Sequence, residues 1–344
     1  MKTKDQDMNR RNMINRLSLG GIGLGVGGFS VPFNEPKEFN SFTRPGSFAI
    51  DQNKVRFFSP SFKNQFSIVM MADTHLFRDD KRGEPYSQYS NRMSKAYNTT
   101  KHFQTSKKTN PEACFINTLN IAAQLKTEMV ALVGDMFSFP SEAAVEWIQH
   151  ELKKAGLPYL YTAGNHDWHY EGMDEPISTL RSTWINNRLL PMYQQENPLM
   201  GIREIHGINI ITLDNSNYEI SEEQLAFFTQ QINTGKPTLL MVHIPLFAPG
   251  RSIGFGCGNP QWGANTDQNY ELERRQQWPE KGHSATTMNF YKKVFSSDNL
   301  IGILAGHIHK QSLDVINGIP QIVTDANAVG AFLHVEFIPG EPTG

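Results

Sequence analysis

Short, continuous apolar runs punctuate the chain, and each breaks off abruptly into polar residues. Residues 66–72 run into Asp73-Thr74-His75, 129–133 into Gly134-Asp135, and 159–163 into Gly164-Asn165-His166-Asp167. Residues 238–242 run into His243, and 300–305 into Gly306-His307-Ile308-His309. Apolar runs this short, with no polar alternation, predict strands covered on both faces. Helical spacing appears between them: Phe115, Ile116, Leu119 and Leu125 recur over 111–126, with Asn110 placed to cap the start. Residues 141–154 form a second such pattern, and Ser221 with Gln224 opens a capping box. Strands alternating with helices predict an α/β fold. Residues 312–323 and 332–338 read as added strands without a helix between them, so the sheet is mixed or there are two sheets.

Two long polar segments interrupt this grammar. Residues 77–109 look irregular, and residues 247–283 hold Arg251, Cys257, Trp262, Arg274, Arg275, Trp278 and His283. Both follow strands that end in ligand-type residues, where α/β proteins build their sites. Arg251 and Arg275 are candidate phosphate contacts; the alternative is that the arginines are solvated or paired with Glu271, Glu273 and Glu280. Trp262 and Trp278 read as packing residues rather than a platform for a base. Gly254, Gly256 and Gly258 do not open a helix after a strand, so they carry no nucleotide-binding signature.

An apolar fraction of 39% over 344 residues allows a sizeable core. A net charge of −2 gives no polyanion-binding signature, so nucleic acid is not expected as a partner. Cys114 and Cys257 are too few for a disulfide scaffold, and whether they pair is left open. Arg10-Arg11, a spacer and a weakly apolar, glycine-rich stretch over 17–28 resemble a twin-arginine export signal, which implies a periplasmic or otherwise exported protein. The other reading is a basic tail on a cytoplasmic protein. That stretch is too short for a membrane span, and no later segment offers one. The expected divisions are an export signal over 1–30, a linker and first strand over 31–60, and one domain over 61–344.

If the central strands run parallel, their polar ends gather at one edge. That edge then holds Asp73, His75, Asp135, Asn165, His166, His243, His307 and His309. The mixture of oxygen and nitrogen donors suits Mn, Fe or Zn better than Mg or Ca. The set exceeds the needs of one ion, and a pair about 3.5–4 Å apart, bridged by a carboxylate, is the economical reading. Taken singly, Asp135 and Asn165 would be turn residues and His243 a core histidine. The ordered recurrence of five such blocks moves each of them to ligand. His102, His150, His169, His206 and His334 read as surface or structural residues.

Asp73-x-His75, Gly134-Asp135, Gly164-Asn165-His166-Asp167, a lone His243 after a strand, and Gly306-His307-x-His309 together resemble the pattern of calcineurin-like metallophosphoesterases. The resemblance implies a four-layer αββα sandwich of two mixed β-sheets flanked by helices. It implies that Asp73, His75 and His309 hold one divalent ion, that Asn165, His243 and His307 hold another, and that Asp135 bridges them. It gives His166 to the substrate's leaving group rather than to a metal. The implied activity is hydrolysis of a small-molecule phosphate mono- or diester by a metal-activated water. Pyrophosphate or nucleotide hydrolysis on the same site, and a non-catalytic metal-binding scaffold, are the alternatives. One departure stands out. Ser138 occupies a position where many members carry an aspartate that pairs with the catalytic histidine, and where purple acid phosphatases carry a tyrosine. Asp167 is then the nearby carboxylate expected to orient His166.

The export reading is tested by replacing Arg10 and Arg11 together with lysine. The folded double variant should stay in the cytoplasm in a host with a twin-arginine pathway. Periplasmic recovery equal to the wild type's would remove the reading.

Overall fold

The computed structural model describes residues 46–252, 255–260 and 282–340. The export-signal residues 1–30, residues 31–45 of the linker, and Gly254, Trp262, Glu271, Glu273, Arg274, Arg275, Trp278 and Glu280 lie outside them.

The apolar runs divide between two six-stranded sheets. The first contains, side by side, β1 (Ser47–Asp51), β2 (Lys54–Ser59), β14 (Leu333–Pro339), β3 (Phe66–Met71), β6 (Met129–Val133) and β7 (Tyr159–Thr162). The second runs β12 (Ser312–Ile316), β13 (Ile319–Val323), β11 (Leu300–Ala305), β10 (Thr238–Val242), β9 (Ile208–Leu213) and β8 (Met200–Ile205). Strands β3, β6 and β7 are parallel, and so are β9, β10 and β11. Antiparallel pairs enter at β1–β2, β3–β14, β8–β9 and β12–β13, so both sheets are mixed.

Side-chain alternation explains why the runs are apolar throughout. On β3, Ile68 and Met70 join the layer between the sheets, whereas Val69 and Met71 face the outer helices. On β10, Leu239 and Met241 face inward, and Leu240 and Val242 face outward. Each central strand is therefore sandwiched. The outer face of the first sheet is covered by α2 (Pro111–Leu125), α3 (Glu142–Ala155) and α4 (Ile177–Trp184), through residues such as Phe115, Leu119, Ile148 and Trp184. The second sheet is covered by α5 (Glu222–Ile232) and α6 (Ala285–Phe295), through Phe228, Phe290 and Val294. These are the four layers expected. The caps fall where the sequence places them: Asn110 accepts from Ala113 N at 2.9 Å, and Ser221 and Gln224 close a capping box.

Two expectations change. Residues 77–109 are not irregular throughout. They contain α1 (Ser87–Ala96) and the small ribbon of β4 (Thr100–Lys101) and β5 (Lys108–Thr109). Only Met93 and Ser90 of α1 are buried, too thin an apolar stripe to stand out in the sequence. Ahead of residue 61 the described chain forms a hairpin, β1–β2, rather than one strand, and β2 pairs with β14. Among the described residues no helix is long and apolar enough to cross a membrane.

Close sheet packing sets a test. A Cβ added at Gly302 of β11 would stand 2.7 Å from Cζ of Phe57, a buried ring on β2 in the opposite sheet. Gly302→Ala should therefore destabilise the protein by about 1–3 kcal/mol in urea unfolding, the usual cost of overpacking. Adding Phe57→Leu should recover part of that loss, because the two positions share one space. Two strictly additive losses would show that the sheets do not meet there.

Candidate metal centre

Parallel strands deliver their carboxyl ends to one side of the molecule. Asp73 and His75 follow β3, Asp135 follows β6, and Asn165 and His166 follow β7, all from the first sheet. His243 follows β10, and His307 and His309 follow β11, all from the second. The loops continue the ladder beyond the strands. Asp73 N donates to Gly134 O at 3.0 Å, His75 N to Asp135 O at 2.9 Å, and Gly306 N to His243 O at 3.0 Å. Asp73, His75, Asp135, His307 and His309 all adopt the left-handed backbone region, with φ of 55°, 53°, 51°, 71° and 55°. Such strain costs about 1–3 kcal/mol per residue and persists where the surroundings impose it.

Two glycines make the approach possible. A Cβ at Gly134 would fall 2.4 Å from His243 Nδ1, and one at Gly164 would fall 2.2 Å from Asp135 N. The glycine of each block is thus the space in which the neighbouring block's side chain or backbone sits.

All eight sequence-derived positions are brought together. Ligand atoms of Asp73, His75 and His309 lie within 4.8 Å of one another, as do those of His75, Asp135 and His166, and those of Asp135, His243 and His307. His75 Nε2 lies 3.0 Å from His309 Nε2, which is 3.2 Å from Asp73 Oδ1. Asn165 Oδ1 is 3.1 Å from His243 Nε2 and 3.0 Å from His307 Nδ1, and Asp135 Oδ2 is 3.2 Å from His243 Nε2. Asp135 Oδ1 accepts from His166 N at 2.7 Å. So many donor atoms converging on one place, most of them buried, fit the donor set of a divalent cation.

The electrostatics agree. Burial would raise both carboxyls, but the imidazoles of His309 and His243 outweigh it at Asp73, and those of His243 and His166 outweigh it at Asp135. Both carboxyls are held below their usual range. Burial and the neighbouring His309 and His166 push His75 down to about 3, which leaves it neutral with a lone pair to give. Burial opposes charge on His243 as well, yet Asp135 prevails and drives it up to about 10. His309 is raised in the same way by Asp73.

Two sequence expectations need correction. Asp167, expected to orient His166, accepts instead from Phe137 N at 2.8 Å, Gly164 N at 2.8 Å and the Tyr161 hydroxyl at 2.9 Å. Its carboxylate braces the turn that carries Asn165. Burial, and then the charge on Asp135, push it up to about 7. Arg251, expected to touch phosphate, pairs with Asp314 at 2.8 Å and lies over the ring of Phe255. Ser138 donates its hydroxyl to His75 O at 3.0 Å and so fixes the backbone of a candidate ligand. Cys114 and Cys257 are buried, free thiols. His169 and His334 are buried, His169 edge-on to Trp168.

Sequence reasoning missed Tyr97 and Tyr218. The Tyr97 ring stacks on His75 with centroids 4.1 Å apart and planes 6° apart. The Tyr218 hydroxyl lies 2.8 Å from His307 Nε2. Tyr97 belongs to a segment without periodic signal. Tyr218 follows the apolar run 208–213, which breaks into Asp214-Asn215-Ser216 just as the five blocks do, and that break was the signal to read.

Asp135 holds the His243 imidazolium up to about 10, so a cation that enters at neutral pH must displace its proton. Observed affinity should therefore rise with pH between 6 and 8, by about tenfold per unit for each proton displaced. Calorimetry of Mn(II) binding in buffers of different ionisation enthalpy should register proton release. An affinity and heat independent of pH and buffer would refute the protonated starting state.

Residues 66–311 match the calcineurin-like phosphoesterase family. A probable cyclic nucleotide phosphodiesterase of Moraxella catarrhalis (strain BBH18) is 27% identical over 106 residues, 31% of this chain and 29% of that relative's length. Among solved structures, a dimetal phosphatase from Danio rerio covers 78% of this chain and 91% of its own at 10% identity and a TM-score of 0.48. The purple acid phosphatase PPD1 of yellow lupin covers 80% of this chain and 47% of its own at 12% identity and a TM-score of 0.44. The matched span runs from the first residue of β3 to just beyond His309 and so contains every side chain of the centre: the chain belongs to the calcineurin-like phosphoesterase family, whose members are metal-dependent hydrolases.

Proposed function

We propose that the centre holds two divalent ions and hydrolyses a phosphate mono- or diester of a small molecule. The observation that carries this reading is the sharing of Asp135. Its carboxylate belongs both to the triplet with His243 and His307 and to the triplet with His75 and His166, while Asp73, His75 and His309 form a third. Asp73, His75 and His309 would hold one ion and Asn165, His243 and His307 the other, with Asp135 shared between the two sets. The nitrogen-rich donor set favours Mn, Fe or Zn. When bound, the ions supply an activated water and neutralise the phosphate's charge.

The chain's own groups do the rest. Asp135 accepts the His166 backbone amide, so the bridging carboxylate also places the histidine that follows Asn165. The His166 ring is edge-on to His75 at 5.0 Å, and the residue is only partly buried. It donates a proton or a hydrogen bond to the leaving-group oxygen. The partial likeness to a probable cyclic nucleotide phosphodiesterase favours the diester reading over the monoester. The paired Arg10 and Arg11 support a site of action outside the cytoplasm.

His166→Ala should keep both ions, measured by metal analysis, and lose about 10²–10⁴ in turnover. The loss should be smaller for p-nitrophenyl phosphate and its bis ester than for alkyl phosphates, because p-nitrophenolate leaves with little help from a proton. An equal loss on both classes would show that His166 positions phosphate instead. A missing ion would show that it is a ligand.

A further inference from the structure

The strand β9 contributes no ligand, yet the turn that follows it, Asp214-Asn215-Ser216-Asn217-Tyr218, reaches the centre through Tyr218. Asp214, Asn215, Ser216 and Tyr218 are all buried. Tyr218 adopts a left-handed backbone, φ 64°, which is costly for an aromatic residue. Its hydroxyl lies 2.8 Å from His307 Nε2, while the other ring nitrogen, Nδ1, lies 3.0 Å from Asn165 Oδ1. Asn215 grips both sides of the residue after His243: Nδ2 donates to Ile244 O at 2.6 Å, and Oδ1 accepts from Ile244 N at 3.0 Å. Ser216 Oγ accepts from Trp168 Nε1 at 2.7 Å, and Trp168 lies three residues beyond Asn165. Ser216 is held in turn by Asp214 Oδ1, which accepts from its amide at 2.9 Å, while the other carboxylate oxygen pairs with Arg181.

These contacts share a destination. They go to the loops that carry Asn165, His243 and His307, the three residues assigned to one of the two ions. Ordinary core packing does not require a turn to spend three polar side chains on three loops of the same subsite. We propose that the 214–218 turn is the positioning element of that subsite, with Tyr218 fixing the ring of His307. A histidine binds a metal through one bare nitrogen while the other, protonated nitrogen is held by a partner that sets tautomer and ring angle. With Nε2–H donating to the Tyr218 oxygen, Nδ1 is the bare nitrogen, and it is the one that faces Asn165. Asn215 then holds the backbone beside His243, and Ser216 holds the end of the Asn165 loop through Trp168. The inference rests on the two-ion reading above.

The test is Tyr218→Phe in the full chain, titrated with Mn(II). The wild type should take up two ions. The variant should bind one with unchanged affinity and the other about 10–100-fold more weakly, the usual effect of losing the partner of a ligating histidine. At two equivalents, electron paramagnetic resonance should show a spin-coupled pair in the wild type and isolated Mn(II) in the variant. The metal-free variant should melt close to the wild type, which separates positioning from folding. Ser216→Ala should act on the same ion in the same direction but less strongly, and it carries the test if Tyr218→Phe does not fold. Tyr97→Phe removes the hydroxyl that lies 3.4 Å from His309 Nδ1, so it should weaken the other ion and leave this one unchanged. Equal weakening of both ions, or two wild-type affinities in Tyr218→Phe and Ser216→Ala, would overturn the inference. A wild type that binds no second ion would overturn the two-ion reading itself.

Discussion

Asp73 and Asp135 stand almost wholly out of water where the carboxyl ends of two sheets meet. Taking a carboxylate out of water costs several kcal/mol unless positive charge or several hydrogen-bond donors meet it. Much of the centre can be understood as an answer to that cost. Asp73 takes the His307 amide on both its oxygens, at 3.1 and 2.9 Å, and Asp135 takes the His166 amide. Imidazoles from the opposite sheet complete the surroundings of both. Bound metal would neutralise what these contacts leave, and for this reason the same side chains that are awkward in a core suit a metal centre.

The constraint also explains why backbone strain concentrates here. For carboxylates and imidazoles to converge from two sheets, the chain must turn sharply as it leaves each strand, and five of the site residues are left-handed where it does so. The cost is spread over loops that are hydrogen-bonded to one another, Asp73 to Gly134 and Gly306 to His243. No single loop would hold such a conformation alone.

The strands and the eight convergent residues were legible in the sequence because each apolar run ends in ligand-type residues, and that break survives without any knowledge of the partner loops. Helix α2 was legible through Asn110 and Ser221 marks the start of α5, since capping is local chemistry. What the sequence did not yield depends on contacts between distant segments. Asp167 stands beside His166 in the chain, yet its carboxylate turns to Phe137, Gly164 and Tyr161. Arg251 has no neighbour in sequence that announces Asp314, 63 positions away. Tyr97 stacks on His75 from a segment whose helix buries only Ser90 and Met93, too little for periodicity to register.

The position of β14 has its own consequence. It lies between β2 and β3, parallel to the first and antiparallel to the second, although both precede it by more than two hundred residues. Until the ribosome has released that stretch, β3 has an open edge and the β1–β2 hairpin has nothing to pair with. The strand that leads into Asp73 and His75 thus gains its second neighbour only when a segment more than two hundred residues downstream arrives. Assembly of the centre waits on that segment, and pairings of such long sequence separation fold slowly. In a cell, the nascent chain therefore offers an unpaired sheet edge until β14 emerges, the condition under which chaperones engage.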